Sequence, residues 1–150
     1  MSLRALPTIA IVFILYNIVV LLGGHGADAS LTAEKIAEAV LAKPLPLLSN
    51  IPLPSGARWS MTIGDLIMLV TLALLFVELL KSTYTSSASL LDHGLSMLVF
   101  VACLVEFIVV PKAATSVFFF IVIATLIDVI AGYTIGIRVA RRDLSIGNPS

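Results

Sequence analysis

The chain has 150 residues, of which 59% are hydrophobic and 12% charged, and its mean hydropathy is +1.12. A soluble domain is nearer half apolar and a quarter charged, so this composition excludes an ordinary soluble domain and indicates a membrane protein. Nine basic residues balance nine acidic ones, which leaves no excess charge for nucleic acid or acidic substrates. The single cysteine, Cys103, excludes an internal disulfide, and no Cys/His spacing predicts a metal site.

Four long apolar segments follow one another along the chain, at about residues 7–23, 61–80, 91–110 and 116–137. A helix that spans a membrane needs about 20 mostly apolar residues, and inside lipid its backbone must satisfy its own hydrogen bonds. We therefore predict an all-α fold, an integral membrane four-helix antiparallel bundle forming one domain over residues 1–150. An outer loop (residues 24–60) and a basic tail (residues 138–150) complete it.

The first segment has a second interpretation. Arg4, the apolar run and then the sequence Ala27-Asp28-Ala29 imitate a cleaved secretory signal. The apolar run is at the long limit for a signal, and Asn17 interrupts it. We therefore expect this segment to be retained as the first span.

The outer loop divides into a helical part and a proline-rich part. Residues 31–42 have the pattern of a short helix with Ser30 as its N-cap, and four prolines follow between residues 44 and 54. Proline-rich chain is extended and cannot continue a helix. The short helix lies on the membrane surface, caps a partner or packs within the loop, and its modest apolar face favours packing. Arg58 and Trp59 precede the second span, where tryptophan fits the interfacial aromatic belt.

The remaining connections are short, which favours antiparallel neighbours. Orientation follows the lysines and arginines near the span ends. One side has Arg4, Lys81, Arg138, Arg141 and Arg142, and the other has Lys35, Lys43, Arg58 and Lys112. The dense cluster in the tail predicts that both termini are cytoplasmic. We interpret five residues as anchors at the membrane interfaces: Trp59, Arg58, Arg138, Arg141 and Arg142.

Several ionisable side chains lie within the spans or at their ends, and all are candidates for handling protons: Asp128, Glu106, Glu78, Asp65, Asp92 and His93. Asp128 is near the middle of the fourth span, Glu106 in the outer half of the third and Glu78 in the inner half of the second. An ionised Asp at the centre of a bilayer costs about 2.5–3.5 kcal/mol. Asp128 must therefore be protonated, paired, or turned towards the interior of the protein.

Polar and small residues recur on one face of each of the last three spans, at spacings of three and four residues. The stripes contain Gly64, Thr71 and Glu78 in the second span, Ser96, Cys103 and Glu106 in the third, and Thr125, Asp128 and Gly132 in the fourth. Small residues let helices approach closely, and polar residues bond across the contact. We expect the stripes to meet inside a bundle.

These residues support two functional interpretations, of which structural packing or a subunit interface is favoured over proton or cation handling. Glu78 is the weakest proton carrier, because its long side chain could reach the headgroups beside Lys81. His93 as a haem or metal ligand is less favoured still. Cys103 is interpreted as a small core residue, and Phe118, Phe119 and Phe120 as lipid-facing bulk. No enzyme motif is present, so we expect no catalytic activity and no cofactor.

Residues 64–143 carry a series of short motifs: GD (64–65), DH (92–93), LVEF (104–107), PKAATS (111–116), LIDVIAG (126–132) and ARRD (140–143), preceded by GARW (56–59). In these motifs the chain resembles a family of small bacterial inner-membrane proteins with four predicted spans and no established activity. The resemblance implies a topology and a bacterial setting but no chemistry. We expect an accessory or assembly subunit of a larger membrane complex, or a homo-oligomer, with the alternative of a small proton- or cation-coupled permease or channel. The expected partners are the lipid bilayer and other membrane subunits or further copies of the chain, and not nucleic acid.

Overall fold

The computed structural model describes the backbone of residues 7–28, 30–83 and 89–146, and the side chains of residues 7–28, 30–83, 94–135 and 137. Within these ranges the chain is mostly helical, which confirms the all-α class. The elements are α1 (Ile9–Gly23), α2 (Ala33–Leu41), β1 (Ile51–Pro52), β2 (Arg58–Trp59), α3 (Ile63–Ser82), α4 (Ser89–Val109) and α5 (Ser116–Ile146).

The four long helices coincide with the four apolar segments of the sequence, and the main difference is the end of α5. This helix continues nine residues beyond the predicted end at Ile137, into the tail. Arginine and alanine favour helix, and neither glycine nor proline interrupts residues 137–146. The basic tail therefore extends the last helix instead of forming a separate irregular segment.

Helix α5 is the central element of the bundle, packed between α4 on one side and α3 on the other. Helices α3 and α5 run in the same direction, because Gly64 lies beside Val117 at their first turns and Leu75 and Ala124 share a cluster farther along. We call the end where both begin the outer end, and the opposite end the inner end.

Helices α1 and α4 run in the opposite direction to α3 and α5. The start of α1 meets the last turns of α3, since Thr8 bonds to Glu78. The end of α4 meets the start of α5, where the rings of Phe107 and Phe118 stack at 6.5 Å. The short connection between α4 and α5 thus joins antiparallel neighbours, as predicted. Helix α3 differs from the prediction, because its principal neighbour in the bundle is α5 and not α4, the next long helix in the chain.

The core of the bundle lies where α1 crosses the beginning of α5. Tyr16 and Phe118 are fully buried there, with ring centroids 4.7 Å apart in an edge-to-face arrangement. The interpretation of the phenylalanine run as lipid-facing bulk is therefore wrong for Phe118 and agrees with the exposure of Phe119 and Phe120. Consecutive helical residues point in different directions, so one of three rings turns inward. Cys103 is buried in the same cluster, as a small core residue would be.

A hydrogen-bonded junction ties the connection between α4 and α5 to α1. The Tyr16 hydroxyl donates to the Lys112 carbonyl (2.8 Å) and contacts the Thr115 Oγ1 (2.7 Å). The same Thr115 Oγ1 accepts from the Phe118 backbone N–H at 3.2 Å, which is the N-cap arrangement for α5. One buried tyrosine thus satisfies polar groups that the turn would otherwise leave without partners.

Helix α2 packs across the outer end of the bundle. Its N-cap is Thr32 rather than the predicted Ser30, and Ala37, Val40 and Leu41 are buried. A Cβ atom on Gly23 would lie 2.5 Å from Val40 Cγ1, so glycine allows α1 and α2 to approach this closely. The loop helix is therefore packed against the protein, which is the interpretation that its modest apolar face favoured.

The proline-rich part of the outer loop contains a short β-hairpin that the sequence pattern did not predict. In the antiparallel pair, Ile51 lies opposite Trp59 and Pro52 opposite Arg58. Gly56 makes the turn with a φ of 83°, a backbone conformation that glycine adopts at little cost. Two further backbone bonds join the chain just after α2 to the start of α3: Leu45 N–H to Met61 O (2.8 Å) and Ile63 N–H to Lys43 O (3.0 Å).

Candidate functional site

The polar stripes predicted for α3, α4 and α5 face the interior of the bundle. Among the side chains of these helices that the structure describes, the buried polar ones are Thr71, Glu78, Ser96, Thr125 and Asp128. The two threonines return their hydroxyls to their own helices, Thr71 to Ile67 O and Thr125 to Val122 O, both at 2.7 Å. Their hydrogen bonds are satisfied within one helix, so they permit close packing without requiring water.

Glu78 joins α3 to the beginning of α1. Its carboxyl Oε2 accepts from the Thr8 backbone N–H at 2.8 Å and from the Thr8 hydroxyl at 2.6 Å, while Oε1 accepts from Lys81 Nζ at 3.0 Å. Glu78 is only 6% exposed. The expectation that its side chain reaches outward to headgroups is therefore wrong, although the pairing with Lys81 is present.

The position of Glu78 suits the electrostatics of the α1 terminus. The first N–H groups of a helix have no partner within the helix, and the helix dipole favours negative charge there. Thr8, the N-cap of α1, provides no side-chain cap within its own helix. A carboxyl from α3 supplies this cap, seventy residues away in the sequence. No local pattern could have indicated the pairing.

Asp128 is the buried acid of α5, with 4% of its surface exposed. It lies on the same face of α5 as Thr125 and Gly132, both of which are buried. The contact between Phe107 of α4 and Phe118 of α5 puts these two residues at the same level of the bundle. Each helical residue adds about 1.5 Å along the axis, so Ser96 of α4 lies at nearly the same depth as Asp128. Gly64 of α3 lies at the level of Val117 of α5. By the same helix rise, Glu78 lies about 4.5 Å nearer to the inner end than Asp128.

Glu106 belongs to a different level of the bundle. It is partly buried and lies within electrostatic range of Tyr16 and Cys103. Along the bundle axis it is about 14 Å from the level of Asp128, because α4 and α5 are antiparallel and each residue adds about 1.5 Å. The two carboxyls are therefore too far apart for a direct contact, and a proton could pass between them only through intermediate groups.

Asp65 has a local structural role at the beginning of α3. Its Oδ2 accepts from the Thr62 backbone N–H (2.9 Å) and hydroxyl (2.8 Å), and its own N–H donates to the Thr62 Oγ1 (3.1 Å). This reciprocal pair is a capping box. The signal was present in the sequence as a threonine followed three residues later by an acid, and it explains Asp65 without proton transfer.

The other candidates divide into exposed and undescribed residues. Arg58 and Trp59 are exposed on the hairpin. The side chains of Asp92, His93, Arg138, Arg141 and Arg142 lie outside the described residues.

Two acids of the outer loop, the exposed Asp28 and the partly buried Glu34, have local partners. The Ser30 backbone N–H, and then its side chain, lower the pKa of Asp28, and the N–H bond is 2.9 Å long. The pKa of Glu34 is lowered by a bond to its own backbone and by the Thr32 side chain. Both acids stabilise the turn that leads into α2.

Within the described residues, no three His, Cys, Asp or Glu side chains come together as a metal site would require. Comparison with known proteins found no matching family model, no matching curated protein and no matching solved structure.

The contact between Thr8 and Glu78 can be measured as a coupling energy. We expect Thr8→Ala and Glu78→Leu each to lower the free energy of unfolding, with a coupling of about 1.5–3 kcal/mol, which is the usual worth of a hydrogen bond to a carboxylate. The measurement is an unfolding titration of the four proteins of the cycle in lipid–detergent micelles.

A matched control is Thr134→Ala, which removes an exposed hydroxyl bonded only within its own helix, to Ile130 O at 2.8 Å. This variant should show no coupling to Glu78→Leu. Equal coupling for both threonines would mean that Glu78 does not cap α1.

Proposed function

We propose that the chain is a four-span integral protein of a bacterial inner membrane, with a non-enzymatic role as an accessory or assembly subunit or as a homo-oligomer. Among the described residues, two helical segments are long and apolar enough to cross a membrane, Ile63–Ser82 and Ser116–Ile135. The observation that carries the proposal is their common direction. If α3 and α5 both cross from the outer to the inner side, the chain must return between them, and α4 is the segment that returns.

The outward faces of all four long helices are apolar, which supports a lipid environment for the whole bundle. Exposed large hydrophobic residues include Ile11, Ile14 and Ile18 on α1, Leu69, Leu72 and Phe76 on α3, Leu98, Val101 and Val105 on α4, and Phe120, Ile127 and Ile130 on α5. Soluble monomers rarely expose apolar patches larger than a few hundred Å². The shorter helix α1 shares this surface and runs alongside α3 from the level of Glu78 towards the outer end.

The burial of the two longest apolar windows supports the same environment. Only 28% of the window in α3 and 44% of that in α5 are buried inside the protein. The core helix of a soluble domain would be mostly buried, whereas a span in a small bundle presents one side to neighbours and the other to lipid. The lysines and arginines near the span ends favour a cytoplasmic location for both termini.

The distribution of polar groups supports a structural role more than a catalytic one. Glu78 is engaged by Thr8 and Lys81, and Asp65 by Thr62, so both carboxyls stabilise helix ends. The inward polar stripes serve contacts within the chain. The surfaces left for a partner are the apolar helix faces and the exposed side of α2 in the outer loop, and these are the surfaces that a membrane subunit or a second copy would use.

A proton- or cation-coupled permease is the second candidate, and the burial of Asp128 favours it. Asp128 and Ser96 lie at a common depth, Glu78 lies farther in, and Glu106 lies towards the outer end. In this mechanism Asp128 and Glu106 would carry the proton in turn. The 14 Å step between their levels would require water or hydroxyl groups, a demand that structural packing does not make.

Extraction in mild detergent tests the subunit proposal. The full-length chain should elute with a stoichiometric second membrane protein or as a multimer of itself, and the assembly should dissociate in harsher detergent. Cross-linking in intact membranes before extraction provides the control against association in the detergent. A lone chain in the membrane and after extraction would contradict the proposal.

Two substitutions of Asp128 separate the structural role from the transport role. As a packing residue, Asp128 should tolerate Asn, which keeps a hydrogen-bonding side chain, while Asp128→Leu should lower the free energy of unfolding by about 1–3 kcal/mol through lost polar contacts. The readouts are unfolding of the purified protein and proton flux into liposomes containing it.

The control substitution is Ile127→Val, on the exposed side of the same helical turn, which should change neither readout. Proton flux that the unmodified protein supports and Asp128→Asn abolishes, with the fold intact, would establish the permease and overturn the structural role.

A further inference from the structure

The hairpin in the outer loop has an apolar face that the rest of the protein leaves exposed. Side chains alternate between the two faces of a strand, so the pairing of Ile51 with Trp59 puts both on one face. The backbone bond from Leu53 N–H to Ala57 O (2.9 Å) continues the ladder and places Leu53 on that face as well. Leu53 and Trp59 are 42% and 43% exposed.

A further apolar side chain lies beside the hairpin and is almost fully exposed. Leu47, in the single helical turn Pro46–Leu48, is 95% exposed. The backbone bonds of Leu45 and Leu48 to Met61 hold this turn next to the beginning of α3. The exposed leucine is thus fixed at the level where α3 begins.

The segment that contains both the hairpin and this turn, residues 43–61, carries only positive charges. Residues 43–61 contain Lys43 and Arg58 and no aspartate or glutamate. In the part of the chain that the structure describes, neither cation forms a salt bridge. Arg58 follows Ala57 and precedes Trp59, so it projects from the opposite face of the ladder to the apolar side chains.

We propose that residues 43–61, which we call the outer hairpin, lie in the lipid–water boundary of the same bilayer that the helices span. The apolar side chains Leu47, Leu53 and Trp59 enter the acyl boundary, and Lys43 and Arg58 bind the phosphates of anionic headgroups. This inference rests on the proposed four-span topology.

The position and chemistry of the outer hairpin favour lipid over a protein partner. Trp59 is three residues before Thr62, the N-cap of α3, so the hairpin begins where that span enters the membrane. The exposed leucines of the first turns of α3, Leu66 and Leu69, extend the lipid-facing surface up to this point. An amphipathic indole beside a cation is the pairing that membrane interfaces favour.

Trp59 reports its own position, because it is the only tryptophan in the chain. The full-length protein is reconstituted into vesicles whose acyl chains carry bromine, which quenches tryptophan on contact, and iodide is added separately as a quencher from water. The expected result is that brominated lipid removes most of the Trp59 fluorescence and that iodide has little effect.

A reference tryptophan in the middle of α3 distinguishes failure of the hairpin proposal from failure of the four-span topology. In Trp59→Phe with Leu72→Trp, the indole replaces an exposed residue in the middle of α3. If brominated lipid quenches this reference and iodide quenches Trp59, the outer hairpin projects into water: the inference is overturned and the spanning topology stands. If neither position is quenched by lipid, both proposals fail. Protection of Trp59 from both quenchers would place a protein partner on the face and also overturn the inference.

The headgroup part of the inference has its own test. Adding anionic lipid to zwitterionic vesicles should increase the quenching of Trp59 by brominated lipid, and high salt should reverse the increase because it screens the attraction. Replacing both cations, with Lys43→Gln and Arg58→Gln, should abolish the dependence on anionic lipid. An unchanged dependence in this double variant would contradict phosphate binding by these residues.

Discussion

The whole structure depends on one constraint, which is that carboxyl groups and hydroxyls on helices with apolar surroundings must find partners inside the protein. Glu78, Asp128 and Asp65 show three ways in which the long helices accommodate a carboxyl group. Glu78 caps α1 and pairs with Lys81, Asp128 is buried at a helix contact, and Asp65 closes a capping box. The outward surfaces are apolar and several polar side chains are buried, which is the reverse of the arrangement of polar and apolar side chains in a soluble protein.

The packing order of the helices follows from where these polar groups can meet. Helix α5 is central because its polar face and the aromatic side of its first turns are both covered by neighbours, with α3 on one side and α4 on the other. Tyr16 and Glu78 fasten α1 at two levels, the first through the turn before α5 and the second through the end of α3. Helix α1 therefore has two hydrogen-bonded attachments about half its length apart, which fixes its position along the bundle axis as well as its orientation.

The sequence predicts the helices and their inward faces well, because hydrophobic length and spacings of three and four residues are local properties. The inward position of Asp128 follows from the cost of charge in lipid alone. The parallel packing of α3 and α5, the pairing of Thr8 with Glu78 and the burial of Phe118 depend on which helices become neighbours, and no local pattern contains that choice. The prolines of residues 44–54 hide the hairpin from a pattern-based prediction, although Gly56 marks its turn. The spacing of Thr62 and Asp65 is that of a capping box, so a local pattern is enough to explain this acid.

The central claim, that α1 and α4 cross the membrane together with α3 and α5, can be tested at a single depth. With Cys103 replaced by alanine, a spin label is placed at one outward position on each helix, at four residues that lie near a common level: Ile14, Leu72, Val101 and Ile127. In lipid bilayers all four labels should be accessible to oxygen, which concentrates in the acyl region, and protected from a water-soluble nickel chelate. Access of the chelate to the labels on α1 or α4, with those on α3 and α5 protected, would contradict the four-span bundle.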